Sequence, residues 1–172
     1  GSRRQEPWAF DNRVLRITRQ FIRLRYRLRP YLYNLFIEHE RSGEAILRPL
    51  FYDFPEDRRL DEVADQLMVG PALMHAPFVR EEDEEREVLV PSGRWYALDE
   101  GEWLSEDRTV RRRKRDEATP LFVKEGSVVP WSLTPEGSHE WNGNAVALWV
   151  FPAEPGPACG GAGAMAARGT YS

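Results

Sequence analysis

The sequence predicts an α+β chain in which one long helix is followed by an antiparallel β region. Apolar residues recur every three or four positions across residues 14–36, and after Gly43 the sequence changes to short β-prone runs separated by turn residues. The 172 residues have an apolar fraction of 41% and a formal charge of −4, as expected for a folded globular protein. The chain is too short for a complete (β/α)₈ barrel of about 250 residues.

The helix is predicted to begin after Asp11 and to end at Ser42 and Gly43. Asp is a good N-cap residue, and Gly readily adopts the left-handed conformation that closes a helix. Pro30 lies within this span, lacks a backbone N–H and crowds the carbonyl four residues before it. We therefore expect a kink or a break near Leu28.

The region after Gly43 predicts an antiparallel sandwich or barrel, because its short runs are separated by Pro, Gly and Asn-Gly turn signals. The runs cover residues 45–54, 67–79, 87–90, 94–98, 109–115, 121–129 and 145–151. Residues 153–172 are rich in Gly, Ala and Pro, and such a segment gains too little from burial to offset the cost of ordering it. We expect it to be flexible.

Composition excludes several classes of function. A single cysteine, Cys159, and three widely separated histidines predict no metal site and no cofactor site. No apolar run is long enough for a membrane span, and the start GSRRQEPW lacks the layout of a signal peptide, which favours a soluble, cytoplasmic chain. Residues 1–48 carry eleven Arg against five acids, but those arginines surround the helix and an acidic region follows, so we expect no nucleic-acid binding.

The residues alone indicate no autonomous active site. There is no Ser-His-Asp arrangement, phosphate-binding loop or dinucleotide fingerprint. Most carboxylates stand in charged runs such as residues 81–85, where they are solvated. Glu6, beside Pro7 and Trp8, stands apart, and a structural role is favoured for it. We predict no catalytic residue in this chain.

A series of short motifs resembles the C-terminal part of glycoside hydrolase family 31, the α-glucosidases and α-xylosidases. In order, the motifs are QEPW at 5–8, IRLRYRLRPYLY at 22–33, RPLF at 48–51, DQLMVG at 65–70, AP at 76–77, LVPSGRWY at 89–96 and PLFVKEGSVVP at 120–130. Each motif is weak alone, but their common order over three quarters of the chain is a strong signal.

This resemblance implies that the chain is a C-terminal fragment. Residues 1–47 would be the last loop and helix of the catalytic (β/α)₈ barrel, residues 48–134 a proximal β-sandwich domain, and residues 135–172 the start of a distal β domain. His75 stands where the family usually has an aliphatic residue, and the sequence after Pro152 departs from the family pattern.

The resemblance also implies a function. The family hydrolyses α-linked glucosides or xylosides with retention, through one nucleophilic aspartate and one acid/base aspartate about 5 Å apart. In the family pattern both lie upstream of Gln5, so this chain is predicted to be inactive alone. The carbohydrate is the substrate of the parent enzyme, and Trp8 would line the rim of its sugar pocket.

Two further expectations concern the surface. The alternative function is a non-catalytic carbohydrate-binding or structural β module, in which tryptophans stack on sugar rings: Trp95, Trp103, Trp131, Trp141 and Trp149. The apolar stripe of the helix, from Val14 to Phe36, would lack the barrel sheet that normally covers it. We therefore expect the chain to self-associate through this exposed helix face.

Overall fold

A computed structural model of the chain describes residues 6–105, 109–133 and 146–154. The first two α-helices are α1 (Asn12–Arg27) and α2 (Arg29–Ser42). The Asp11 side chain accepts a hydrogen bond from the backbone N–H of Val14 at 2.8 Å, and Gly43, with φ of +78°, ends α2. The break at Leu28 was predicted from Pro30, which occupies the first turn of α2, where its missing N–H is tolerated.

Within the described residues, ten strands and one short α-helix follow, besides a 3₁₀ turn at Arg58–Leu60. They are β1 (Leu47–Pro49), α3 (Leu50–Asp53), β2 (Leu67–Val69), β3 (Leu73–His75), β4 (Glu85–Leu89), β5 (Trp95–Ala97), β6 (Glu102–Leu104), β7 (Thr109–Arg113), β8 (Leu121–Lys124), β9 (Ser127–Ser132) and β10 (Val146–Phe151). One sheet has the order β1-β2-β3-β8-β5-β6, while β4 pairs with β7 and β9 pairs with β10. Every strand pair within these described residues is antiparallel.

The central strand β8 separates two hydrophobic cores. Phe122 belongs to a core with Trp95, Met68 and Val88, whereas Val123 belongs to a second core that contains residues of α1, α2, β9 and β10. Successive side chains of a strand point to opposite faces of its sheet. The β4–β7 ribbon therefore lies on one face of the six-stranded sheet, and the helices with the β9–β10 hairpin lie on the other. This layering is consistent with a β-sandwich.

Some predicted runs differ from the observed elements. Residues 45–54 contain both β1 and the short helix α3, and residues 121–129 contain two strands of different sheets, separated at Gly126 (φ +74°). The strand β6 was not predicted, because its three residues show too little alternation to stand out. The predicted flexible tail, residues 153–172, lies almost entirely outside the described residues.

The expectation that the helix stripe is uncovered is wrong for the stripe residues within 24–35, which pack in or against the second core, whereas no residue of α1 is fully buried. Leu28 and Leu35 are only 8% and 5% exposed, because β3, β8 and β9 provide an apolar surface that covers them. Ile22, Tyr26 and Tyr33 lie on another side of the helices and are exposed, as is Phe36, the last residue of the predicted stripe. The exposed helix face is thus displaced around the helix axis from the predicted one.

Candidate functional site

Trp8, the predicted rim residue, lies in a short 3₁₀ turn (Pro7–Ala9) immediately before α1. Its side chain is 74% exposed. Gln5, the first residue of the motif that suggested this role, lies outside the described residues.

The tryptophans proposed for sugar stacking occupy different environments. Trp95 is fully buried, and its indole N–H donates to the carbonyl of Pro91 at 3.1 Å, so it is a core residue. Trp103 is half-buried, and Arg94 lies over its ring at 4.7 Å from the centroid. Trp131 is 9% exposed and Trp149 is 39% exposed. Trp141 lies outside the described part of the chain.

Trp131 and Trp149 form a stacked pair. In the β9–β10 ladder Trp149 lies opposite Val129, and Trp131 lies opposite Ala147, so the two tryptophans are diagonal neighbours on one face. Their ring centroids are 4.6 Å apart and their planes are inclined by 16°. Phe151 continues the aromatic row, at 6.4 Å from Trp149.

The tryptophan pair forms part of the wall of a cavity of about 400 Å³ between α1 and the strands. The remaining wall comes from α1 and from the loops after β5 and before β8. The lining residues are Gln20, Phe21, Arg23, Leu24, Arg27, Leu98, Asp99, Glu117, Ala118, Thr119, Leu121, Trp131 and Trp149. A cavity with an apolar floor and several polar groups is typical of a small-molecule site.

Polar contacts fix α1 against the loop that forms one side of the cavity. The Arg13 guanidinium binds the Asp116 carboxylate through two hydrogen bonds, of 2.7 and 2.8 Å. Gln20 lies about two turns after Arg13 on the same helix, and its amide donates to the carbonyl of Glu117. Both contacts join residues about a hundred positions apart in the sequence. These contacts hold the first half of α1 and its middle against the loop at residues 116–117.

His75 contacts the loop at residues 116–119 through Thr119. Its Nε2 lies 2.8 Å from the hydroxyl of Thr119, a cavity residue. Burial lowers the pKa of His75, and the positive charge of Arg86 lowers it further. The imidazole is consequently neutral at physiological pH, and it serves as a hydrogen-bond partner rather than as a charge.

Asp99 is the most enclosed acid at the cavity. Its side chain is 4% exposed, with Nε of Arg112 at 3.6 Å and Nη2 of Arg115 at 3.8 Å. Burial raises the pKa of Asp99, although the Arg112 charge opposes that rise. Within the described residues neither Oδ1 of Asp99 nor Nε of Arg112 has a hydrogen-bond partner. The pair is thus held mainly by charge.

Two acids, Asp99 and Glu117, line the cavity, and their surroundings differ. A retaining glycosidase needs two carboxyl groups about 5 Å apart that are free to act on the substrate. Here Asp99 is engaged by two guanidinium groups, and the other lining acid, Glu117, lies on an exposed loop. The described residues contain no cluster of three or more His, Cys, Asp or Glu side chains suited to a metal ion.

The sequence pointed to the tryptophans but not to the cavity. Gln20, Asp99 and Thr119 lie on three separate segments, and no local motif links them.

None of the described helices combines the length and the apolarity that spanning a membrane requires.

Comparison with known proteins places the chain among glycoside hydrolases. Residues 43–129 match the model of the glycosyl hydrolase family 31 C-terminal domain, and residues 1–35 match that of the family 31 TIM-barrel domain. The alpha-glucosidase 2 of Bacillus thermoamyloliquefaciens is 36% identical over 129 residues, 75% of this chain and 16% of that protein. The alpha-xylosidase of Saccharolobus solfataricus is 33% identical over 153 residues, 88% of this chain and 21% of that protein.

A solved structure shows the same arrangement. The family 31 dextranase of Flavobacterium johnsoniae, in complex with isomaltotriose, matches 90% of this chain and 19% of its own with a TM-score of 0.82 and 28% identity. The chain therefore spans about a fifth or less of the length of these relatives. Two family models in succession, with the C-terminal model covering half of the sequence, assign the chain: it belongs to glycoside hydrolase family 31.

Proposed function

We propose that this chain is a supporting part of a retaining α-glycosidase that acts on α-linked glucosides or xylosides, and that it does not hydrolyse them alone. The observation that carries this proposal is the succession of a TIM-barrel match and a C-terminal-domain match in one short chain. Relatives named as an alpha-glucosidase and an alpha-xylosidase supply the substrate class. The lining acids of the cavity supply no free carboxylate pair.

The proposed division of labour follows from this assignment. Residues 1–47 would complete the barrel, residues 48–134 would form the proximal β-sandwich, and residues 135–172 would begin a distal β domain. The two family matches are in line with a division near this point, since one ends at residue 35 and the other begins at residue 43, a few residues before residue 47. The catalytic aspartates would be supplied by barrel strands, at whose C-terminal ends such groups are held.

Hydrolysis by the isolated chain provides the first test of the proposal. The purified chain should release no more nitrophenol from nitrophenyl α-glucoside or nitrophenyl α-xyloside than a buffer blank does. Turnover that co-purified with the chain would contradict the proposal.

A chimera tests whether the chain can support catalysis. The matching segment of the Bacillus thermoamyloliquefaciens alpha-glucosidase 2 would be replaced by the corresponding residues of this chain, with a deletion of that segment as the control. We expect a soluble chimera that hydrolyses nitrophenyl α-glucoside well above the deletion variant. A folded chimera with no more activity than the deletion variant would exclude the supporting role.

The same chimera tests the proposed position of Trp8. The exposed indole has the amphipathic surface that packs against sugar rings. Trp8→Ala should raise KM more than it lowers kcat, because a rim contact is made with substrate and transition state alike. Phe10→Ala, which removes another exposed aromatic ring close to Trp8, is the matched control. Equal effects of the two substitutions would argue against a rim position.

The second candidate function is non-catalytic carbohydrate binding. The specific observation in its favour is the cavity beside the stacked pair of Trp131 and Trp149.

A further inference from the structure

We propose that the cavity between α1 and the Trp131–Trp149 pair binds one or two pyranose rings of a neutral α-linked oligosaccharide. The choice of sugar rests on the proposed function, which supplies α-glucosides and α-xylosides as the substrate class. The cavity itself is defined by the geometry of this chain, and four features of it support the proposal.

The first feature is a rigid aromatic surface. Trp149 is 39% exposed although it lies on the inward face of β10, and it stacks on Trp131 with a centroid separation of 4.6 Å. Trp131 in turn belongs to the core that contains Leu28 and Val129. The pair is therefore fixed before any ligand arrives, which limits the entropy lost on binding. A pyranose ring presents an apolar C–H face that suits such a surface.

The second feature is the set of hydrogen-bonding groups around that surface. The hydrogen bond from Gln20 to Glu117 fixes the orientation of the Gln20 amide at the cavity wall. The Thr119 hydroxyl is fixed by His75 in the same way. Arg27 lines the cavity, is exposed, and makes no hydrogen bond or ion pair with any described residue. These groups include both donors and acceptors, which sugar hydroxyls require.

The third feature is the balance of charge. Two cations, Arg23 and Arg27, and two anions, Asp99 and Glu117, line the cavity. A phosphate or a carboxylate ligand would be favoured by an excess of cations, and an amine by an excess of anions. Asp99 is also paired with Arg112 and Arg115, so no large excess of either sign faces the cavity, and this lining suits a neutral ligand that carries many hydroxyl groups.

The fourth feature is size. A cavity of about 400 Å³ lies near the lower end of the range of about 300–1,000 Å³ that is usual for small-ligand sites. This volume suits one or two sugar rings and excludes a long polysaccharide chain from lying wholly inside it.

Isothermal titration calorimetry of the full 172-residue chain tests the proposal. The probes are isomaltose, maltose and methyl α-xyloside, with sorbitol as a polyol that has no pyranose face. We expect saturable binding of at least one of the three glycosides with a Kd of roughly 1 mM, and no saturable binding of sorbitol. No saturation by any of the glycosides, or equal binding of sorbitol, would overturn the proposal.

Variants locate the site. Trp149→Ala should abolish measurable binding, since it removes the stacking surface. Arg27→Ala removes an exposed side chain and should weaken binding by about tenfold, as the loss of a charged hydrogen-bond donor does. Arg41→Ala, also on an exposed helix position but outside the cavity lining, is the control and should bind as the unaltered chain does. Far-UV circular dichroism checks the fold of each variant.

The variants also separate this proposal from the proposed function. Unchanged binding in both Trp149→Ala and Arg27→Ala would overturn the cavity assignment. The supporting role in catalysis would be unaffected by that result, because the chimera measures hydrolysis and not binding to the isolated chain. Conversely, binding at the cavity with an inactive chimera would retain the cavity assignment and exclude the supporting role.

Discussion

Gly70 follows β2 in the turn that leads to β3, directly beside Leu35 and Tyr31 of α2. Its φ is +61°, and a Cβ atom added there would lie 2.4 Å from Cδ2 of Leu35 and 2.7 Å from the hydroxyl oxygen of Tyr31. The Tyr31 hydroxyl donates to the carbonyl of Val69 at 2.7 Å and accepts from the backbone N–H of Ala72 at 3.2 Å. Burial raises the pKa of Tyr31 to about 12. One residue of helix α2 thus bonds both sides of the turn.

Gly70→Ala should therefore be strongly destabilising. The left-handed backbone costs about 1–2 kcal/mol for a residue with a Cβ, and overpacking adds about 1–3 kcal/mol. The matched control is Gly126→Ala, with φ of +74° and no atom within 4 Å of an added Cβ, which should carry only the backbone cost. Urea unfolding measures both free energies of unfolding. Equal losses in the two variants would show that the contact with α2 is unimportant.

The sequence predicts part of this arrangement. Gly70 and Pro71 are turn residues inside the predicted run 67–79, and the structure divides that single run there into β2 and β3. The partner of the turn was not predictable, because Tyr31 and Ala72 are 41 positions apart and no local pattern connects them. The same holds for the cavity, where Trp149 stood out as an aromatic residue but its neighbours on α1 did not.

At the scale of elements, the helix pair has two apolar sides with different surroundings. The inner side, with Leu28 and Leu35, lies in the second core. The outer side carries Ile22, Tyr26, Tyr33 and Phe36, which are exposed by 38–61%. The 3–4 spacing of the sequence predicted the helices and Pro30 predicted their break, since both depend on neighbours in the chain. Which side meets the sheet depends on strands that follow much later.

The outer side should cause self-association. Its four side chains line one surface depression together with Arg25 and Arg29, and large exposed apolar patches mark interaction surfaces. We expect the chain to form dimers or larger species at tens of micromolar in sedimentation velocity, and Phe36→Glu to shift the distribution towards monomer. Val79→Glu is the control, because Val79 is 62% exposed and Phe36 is 61% exposed, but Val79 lies in a loop remote from the helices in sequence. A monodisperse monomer would contradict this prediction.

At the scale of the whole molecule, the helices and strands share one set of contacts. The second core joins α1 and α2 to β3, β8, β9 and β10, and the Arg13–Asp116 pair adds a bidentate ionic contact on the surface. The two cores also meet at the central strand β8. Because both faces of β8 are buried, neither core can unfold without exposing one face of this strand.

We therefore expect one cooperative unfolding transition. Circular dichroism at the helical band and tryptophan fluorescence should give the same midpoint in urea, because the signals arise from elements that share a core. Leu35→Ala should lower both midpoints together and cost about 2–5 kcal/mol, the usual loss for such a truncation in a core. Separate midpoints for the two signals would mean that α1 and α2 unfold independently of the sheet.

The meeting of α1 and α2 with β9 and β10 has a consequence for biosynthesis. Leu28 and Leu35 share a core with Trp131 and Phe151, which lie about a hundred residues or more further along the chain. A ribosome adds about 5–20 residues per second, so the inner side of the helices leaves the exit tunnel several seconds before its partners. During that interval β9 and β10 cannot yet contribute to the core that covers the inner side. The inner side of α1 and α2 is therefore completed only when β9 and β10, the last described strands, have been made.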